Sequence, residues 1–411
     1  MKTSIRSFSL LTIALTVSVI FASDVSELLK SADEVLETVV EIRELKPREP
    51  IQKGIQSREE VRAYLVSRIQ EEYPKDQIEV EERLLEKLGL IPPDLQLYEF
   101  MLELLTEQVA GYYDPDSKTF IIADWIPLEI QKPVMAHELT HALQDQYFDL
   151  KRFLTPVEGN DDTTLAHNAL IEGEGFIIML DYTLRPMGRS AADIPDLIEL
   201  NRAQMPLMEA QFPIFGKAPD YLKETLIFPY AYGGAFIKRI LEEGSWQDVD
   251  RVYSNLPEST EQILHPEKYL NSPDHPTEVD TETLQKKLSE DWEPVVENVL
   301  GEFSTYLLLK EYISDEQAQR ASKGWDGDRV ELWESERGNT ALLLSTIWDG
   351  TADASEFFEA YSELVVKKYP QAERSDRQDS SAPQTRVWRN PGVEVTVTLE
   401  GDRVFVSEME T

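Results

Sequence analysis

The sequence has 411 residues, a formal net charge of −37 and no cysteine. This length can bury a large core and hold two or three domains. The negative charge argues against binding to nucleic acid or to anionic lipid, because both are themselves negatively charged. Without cysteine there can be no disulfide, thiolate metal site or cysteine nucleophile, so any metal must be held by histidine and carboxylate groups.

Residues 1–23 have the pattern of a secretory signal peptide. Lys2 and Arg6 precede an apolar run that ends near Ala22 and is short for a bilayer span. The pattern predicts secretion or export to a periplasmic or other extracytoplasmic compartment. No stable membrane partner is expected unless this segment stays uncleaved and acts as an anchor.

Residues 24–110 predict an N-terminal helical region. Apolar residues recur at helical spacing after Asp24, and "SREE" at Ser57 is a capping-box pattern that starts a second helix. Helices are expected over 24–45, 57–72, 79–88 and 95–109. We interpret this region as scaffold.

A β-hairpin and a helix follow. Aromatic and β-branched residues flank an Asp-Pro-Asp-Ser turn in residues 111–124, which is typical of a hairpin. A helix is predicted over Pro133–Phe148, with Pro133 in its first turn. The hairpin is either purely structural or an edge to which an extended peptide can add.

The predicted helix contains His137, Glu138 and His141 in the spacing His-Glu-x-x-His. Residues four apart lie on one face of a helix, about 6 Å apart along its axis. Both imidazoles can therefore hold one Zn²⁺. Glu138 would lie beside the open position of the metal, where it can take a proton from bound water.

A third ligand is expected from the helix predicted over Leu165–Leu180, which carries Glu172 and Glu174 among apolar residues. Carboxylates in such surroundings are costly unless they are paired or bind metal. One of the two is expected to complete the site, and the other can accept a hydrogen bond from a ligand imidazole. Asp145, one turn beyond His141, is another candidate for that supporting contact.

His-Glu-x-x-His followed by a helix with Glu-Gly-x-small resembles the gluzincin branch of the zincin metallopeptidases, and "EGEG" at Glu172 fits that pattern. The resemblance covers residues 111–180. It implies that His137, His141 and Glu172 bind zinc, that Glu138 is the general base, and that the substrate is a peptide or protein. Glu174 remains the alternative ligand.

Three residues are candidates for stabilising an oxyanion, as a tyrosine or histidine opposite the metal does in zincins. Tyr230 and Tyr232 lie in a helix predicted over Phe228–Gly244, and packing in the core is their alternative role. His265 precedes a proline and is the best remaining histidine for this contact, with a structural role as its alternative.

Residues 281–370 predict a C-terminal helical region with two amphipathic segments. Between them, Asp326 and Asp328 beside glycine predict a turn. Residues 371–411 predict a polar linker and a terminal β-hairpin.

The sequence as a whole predicts an α+β, mostly helical protein. A zincin-like catalytic core is expected over 111–280, with a small edge sheet beside the His-Glu-x-x-His helix, extra helical flanks and the C-terminal hairpin. The predicted function is a secreted zinc metallopeptidase with Zn²⁺ as cofactor. The alternatives are a non-catalytic binding or structural protein on a zincin scaffold, and a zinc hydrolase of a non-peptide amide or ester.

Overall fold

The structure is a computed structural model that describes residues 25–72, 75–377 and 383–410. The predicted signal peptide lies outside the described residues. Within the described part of the chain, no helix is both long enough and apolar enough to cross a membrane. The α+β class and the predominance of helix over strand are confirmed.

The N-terminal region contains the predicted helices. Its elements are α1 (Val25–Arg43), β1 (Gln52–Gln56), α2 (Arg58–Glu72), α3 (Lys75–Leu88) and α4 (Leu97–Gln108). The capping box before α2 is present: the Ser57 N–H donates to Glu60 Oε2 at 2.8 Å, and the Glu60 N–H donates to Ser57 Oγ at 3.3 Å. The sequence pattern does not predict β1.

The predicted hairpin is formed by β2 (Gly111–Asp114) and β3 (Thr119–Ala123). β3 pairs in parallel with β1 and antiparallel with β2, which gives a three-stranded sheet in the order β1-β3-β2. This sheet packs against α5 (Leu128–Phe148), the helix that carries His-Glu-x-x-His. The small edge sheet expected beside that helix is therefore present.

Helix α5 begins five residues before Pro133, so the prediction that Pro133 lies in its first turn is wrong. The first turn starts at Pro127, whose carbonyl accepts the N–H groups of Ile130 and Gln131 at 3.0 and 3.1 Å. The intervening "LEIQK" contains good helix formers, and their propensity extends the helix across the proline. α5 is buried along most of its length.

The helical layer around α5 is completed by the elements that follow it. They are α6 (Leu150–Leu154), α7 (Asp161–Leu184), α8 (Leu197–Gln211), α9 (Pro213–Lys217), α10 (Asp220–Glu243), α11 (Trp246–Val252), α12 (Thr260–Leu264), α13 (Glu267–Leu270) and α14 (Glu282–Gln285). α7 packs between α5 and α10. A Cβ on Gly173 would lie 2.2 Å from the carbonyl carbon of Gly233, so glycine at this position allows the close contact of α7 and α10.

The C-terminal region is built on a seven-stranded antiparallel sheet. Its elements are β4 (Trp292–Asn298), α15 (Gly301–Lys310), α16 (Asp315–Ser322), β5 (Trp325–Ser335), β6 (Thr340–Trp348), α17 (Thr351–Lys368), β7 (Glu373–Arg377), β8 (Gln384–Asn390), β9 (Val393–Glu400) and β10 (Arg403–Glu410). The strand order is β4-β5-β6-β10-β9-β8-β7. α17 packs on β6, β9 and β10.

The two amphipathic segments predicted in 281–370 are the helices α15 and α17, but the prediction that this whole range is helical is wrong, because β4, β5 and β6 lie in it. The strands of the terminal hairpin predicted in 371–411 are β8 to β10 of the same sheet. β6, "TALLLSTIW", is buried on both faces, and such an apolar run cannot be distinguished from a buried helix by periodicity. The predicted turn at Asp326 and Asp328 is the beginning of β5. There the carboxylate of Asp328 accepts the N–H groups of Leu300 and Gly301 at 2.9 and 2.8 Å.

Asp162, in the first turn of α7, is a buried carboxyl between α12 and α15. It accepts hydrogen bonds from the N–H and hydroxyl of Thr260. Burial raises its pKa to about 8, and the nearby charges of Asp328 and Glu302 add to that shift. The folded protein therefore retains a proton that the unfolded chain loses at a much lower pH.

Asp162→Asn is expected to become more stable relative to the parent as pH rises towards about 8. The native carboxyl binds more protons than the unfolded one between its two pKa values, so stability falls there as pH rises, by at most about 1.4 kcal/mol per pH unit. The asparagine variant lacks this loss. Urea unfolding at about pH 5 and about pH 8 measures the effect, with the exposed Glu158→Gln as control. If the difference in unfolding free energy between Asp162→Asn and the parent is the same at both pH values, the pKa of Asp162 is not raised.

Candidate metal centre

His137, His141 and Glu172 converge at the contact of α5 with α7. The Nε2 atoms of the two imidazoles are 2.9 Å apart, and Glu172 Oε2 lies 3.1 Å from that of His137 and 3.6 Å from that of His141. All three side chains are buried. Glu172 lies 35 residues after His137 in the sequence, and the three meet because the i, i+4 histidines of α5 face the middle of α7.

The spacing of these three atoms fits a metal ion. Zinc bonds of about 2.0–2.1 Å at the tetrahedral angle place neighbouring ligand atoms roughly 3.3 Å apart. The separations of 2.9, 3.1 and 3.6 Å scatter around this value. Two imidazoles and one carboxylate are a donor set that suits zinc and leave one tetrahedral position for water or substrate.

The electrostatics of the three residues also favour a cation. Burial lowers the pKa of His141, but the charge and hydrogen bond of Glu172, together with Glu138 and Gln144, outweigh burial and raise it to about 9. Burial raises the pKa of Glu172, but the two histidines outweigh this effect and hold it well below its usual range. The cluster therefore holds positive charge beside an ionised carboxylate, the electrostatic condition for replacing a proton by a metal ion.

His141 is oriented by Gln144, three residues further along α5. Gln144 Nε2 lies 3.1 Å from the carbonyl oxygen of Ile171, which can only accept, so Gln144 Oε1 must face the imidazole. Gln144 Oε1 lies 2.7 Å from His141 Nδ1 and accepts a hydrogen bond from its N–H. This contact keeps a proton on Nδ1 and turns Nε2 of His141 towards His137 and Glu172. A histidine that binds metal through Nε2 needs this tautomer.

Glu174 does not lie with the histidines. Its Oε1 accepts from Arg43 Nε at 2.6 Å, and its Oε2 accepts from the Tyr253 hydroxyl at 2.6 Å. Arg43 is buried and also pairs with Asp250. The structure thus assigns Glu172 to the histidine cluster and Glu174 to a buried ion pair with the last residue of α1.

Tyr253 joins these two groups. Its hydroxyl accepts from Gln144 Nε2 at 2.8 Å and donates to Glu174. Burial raises the pKa of Tyr253 well above its usual value, and the charge of Glu174 adds to the effect, so the hydroxyl keeps its proton. The ring stacks on Phe148 with 4.0 Å between centroids.

His137 is held by packing. A Cβ on Gly175 would lie 2.7 Å from His137 Cε1 and 2.8 Å from Nδ1, so this position of the ring requires glycine. Among the described residues, Nδ1 of His137 has no hydrogen-bond partner. The Tyr230 ring lies on another side, with its centroid 5.9 Å from that of His137.

Glu138 is placed by the small sheet. Its Oε2 accepts the N–H of Tyr113 in β2 at 2.8 Å. Asp145, the other predicted supporting residue, accepts from the Tyr113 hydroxyl at 2.9 Å and from the N–H of Leu150 at 3.0 Å. Asp145 therefore fixes the end of α5 against β2. The hydrogen bond to a ligand imidazole that was predicted for Asp145 is made by Gln144.

The three candidate oxyanion donors are separated in the structure. Tyr230 contacts His137 as described, whereas Tyr232 pairs with Arg202. His265 Nε2 lies 3.0 Å from Glu302 Oε1. Tyr230 alone of the three is placed against a candidate metal ligand.

A second carboxylate group, formed by Glu261, Asp274 and Asp349, is paired with one cation from within the chain. Nζ of Lys268 lies 2.6, 2.8 and 2.7 Å from one oxygen of each. The ammonium group occupies the position that a metal ion would take.

A cavity of about 470 Å³ lies between α16, α17, β7 and β8. Arg386 and Glu359 in its wall form an ion pair with each other, at 2.5 and 2.8 Å. None of its lining residues belongs to the histidine cluster.

Sequence reasoning misses Gln144, Tyr253 and Arg43. Gln144 carries a local signal, because a residue three positions after His141 lies on the same helical face. Tyr253 and Arg43 carry none, since each is about a hundred residues away along the chain.

Comparisons with known proteins match a family model and a solved structure. The family described as "Domain of unknown function (DUF8575)" matches residues 290–411, which include the seven-stranded sheet and none of the residues of the metal centre. No curated protein matches. Among solved structures, a crystal structure described as "a putative hydrolase with a novel fold from Chloroflexus aurantiacus" is 14% identical, with a TM-score of 0.36, and the alignment covers 59% of this chain and 88% of that one.

Proposed function

We propose that the protein is a zinc-dependent hydrolase of peptide bonds, with His137, His141 and Glu172 as metal ligands and Glu138 as general base. The observation that carries the proposal is the convergence of the three donor atoms within 2.9–3.6 Å of one another, beside an anchored glutamate. The predicted signal peptide adds the proposal that the enzyme is exported. The gluzincin resemblance supplies the choice of peptide over other substrates.

A zinc ion held by these three side chains would supply Lewis acidity, which lowers the pKa of a bound water towards neutrality. Glu138 takes the proton from the attacking water and passes it to the leaving amine. Its carboxylate is held in place for this transfer by the Tyr113 N–H. Tyr230 is the proposed donor to the carbonyl oxygen, because its ring lies against His137.

The edge strand β2 supports a peptide as substrate. It has no partner on its outer side among the strands that the structure describes. The Tyr113 N–H of this strand donates to Glu138, so the edge of the sheet meets the proposed base. An extended peptide that adds to this edge would bring a carbonyl beside the metal centre.

Protein cleavage is expected to stop after a chelator removes the metal and to return when zinc is added back. A casein digest followed over time, with a panel of small esters and non-peptide amides beside it, tests this. Hydrolysis of the esters alone would favour the non-peptide hydrolase. Zinc binding that raises the melting temperature without any hydrolysis would favour the non-catalytic scaffold. The burial of the three ligands is also compatible with a structural metal.

A further inference from the structure

We propose that Arg43, Glu174, Tyr253 and Gln144 form a positioning network for His141, and that this network sets the affinity and geometry of the metal centre. We call these four residues the His141 network. The inference rests on the proposed function, since it assigns a role towards the same metal.

The direction of each hydrogen bond follows from the groups at the two ends. Arg43 can only donate, so Glu174 accepts from it as a carboxylate. The other oxygen of Glu174 accepts a hydrogen bond from the Tyr253 hydroxyl. The tyrosine oxygen can therefore accept one from Gln144. Each group thus has one consistent role from the guanidinium to the amide.

At the other end, the amide of Gln144 is fixed in one orientation. Its NH₂ group donates both to Tyr253 and to the Ile171 carbonyl, so its oxygen faces His141. The imidazole must donate from Nδ1 and present Nε2 to the metal. A buried chain of hydrogen bonds holds one geometry and is costly to break. Nη1 of Arg43 has no partner among the described residues, so the chain begins at its Nε.

The network reaches across three helices and the loop after α11. Gln144 belongs to α5, Glu174 to α7 and Arg43 to the end of α1, whereas Tyr253 follows α11. His137 has no such support at Nδ1 from the described residues. His141 is therefore the histidine of the pair whose ring is oriented by a hydrogen bond at Nδ1.

Two variants test the network. Gln144→Met keeps the length of the side chain and removes the acceptor for Nδ1, and Tyr253→Phe removes one hydroxyl while keeping the ring stacked on Phe148. Loss of such outer contacts costs roughly 10- to 100-fold in metal affinity, and we expect that range for Gln144→Met and a loss near its lower end for Tyr253→Phe. Tyr147→Phe is the matched control, because its hydroxyl bonds the Lys46 carbonyl outside the network.

The measurements are zinc affinity by competition with a chromophoric chelator, and the visible spectrum of the cobalt-substituted protein. We expect the cobalt bands of both network variants to shift and those of Tyr147→Phe to match the parent. In the double variant, Tyr253→Phe is expected to add little to Gln144→Met, because both act through His141. Circular dichroism of the metal-free proteins reports whether each variant folds, and Tyr253→Phe is the milder change if Gln144→Met does not.

The outcomes separate this inference from the proposed function. A parent protein that binds zinc, with both variants matching its affinity and cobalt spectrum, overturns the His141 network and leaves the proposed function standing. Full additivity of the two substitutions also overturns it, since independent effects need no connection. A parent protein that binds no zinc overturns both proposals.

Discussion

Glu138→Gln is expected to lower the rate of peptide hydrolysis by roughly 10²- to 10⁴-fold, the usual contribution of a general base. Glutamine has the same shape, and its amide oxygen can still accept the Tyr113 N–H that orients Glu138. It cannot take a proton from water, so the loss would be in the chemical step. Zinc content is expected to be unchanged because Glu138 is not among the three converging ligands.

The assay compares initial rates and bound zinc for the parent, Glu138→Gln and Glu129→Gln. Glu129 lies on the same helix, is exposed and pairs only with Lys132 among the ion pairs of the described residues, so its variant is expected to match the parent. A Glu138→Gln protein that carries zinc and cleaves at the parent rate would contradict the assignment of the base.

Glu172→Gln is expected to weaken zinc binding by about a hundredfold or more. Structural zinc sites with four protein ligands bind the metal with roughly 10–16 kcal/mol, which is about 3 kcal/mol for each ligand. The fold should tolerate this substitution, because His141 can give up the proton that Glu172 stabilises.

Glu174→Gln is expected to reduce the stability of the fold more than it reduces zinc affinity. It leaves the three ligands in place, so zinc affinity should fall by no more than about 10- to 100-fold. Stability should fall by about 3 kcal/mol, because the Arg43 guanidinium cannot lose its charge and is left in a buried position with Asp250 alone. Zinc titration and urea unfolding of both variants measure the two effects. Greater loss of zinc in Glu174→Gln than in Glu172→Gln would reverse the ligand assignment.

The first half of the candidate site can be predicted from sequence because it is local. The spacing of His137, Glu138 and His141 places them on α5 whatever surrounds the helix, and the hairpin before it carries its own turn signal. The choice of Glu172 over Glu174 depends on which face of α7 meets α5. Two buried carboxylates two residues apart point to different sides of a helix, and spacing alone leaves both open.

The parts that could not be predicted are those decided by tertiary contact. Arg43 is the last residue of a helix whose pattern looks like ordinary scaffold, and among the described residues its ion-pair partners lie on α7 and α11. The strands β5 and β6 do not show in the sequence pattern because their burial removes the alternation that marks an exposed sheet. The partners of Arg43 lie far along the chain, and so does β10, which pairs with β6.

Anomalous diffraction at the zinc absorption edge, from a crystal of the purified protein, would locate the bound metal. We expect one peak per chain at the contact of α5 with α7. The peak should lie about 2.0–2.2 Å from Nε2 of His137, Nε2 of His141 and an oxygen of Glu172. A crystal grown with zinc that shows no peak there, or a peak held by Glu174 instead of Glu172, would contradict this assignment.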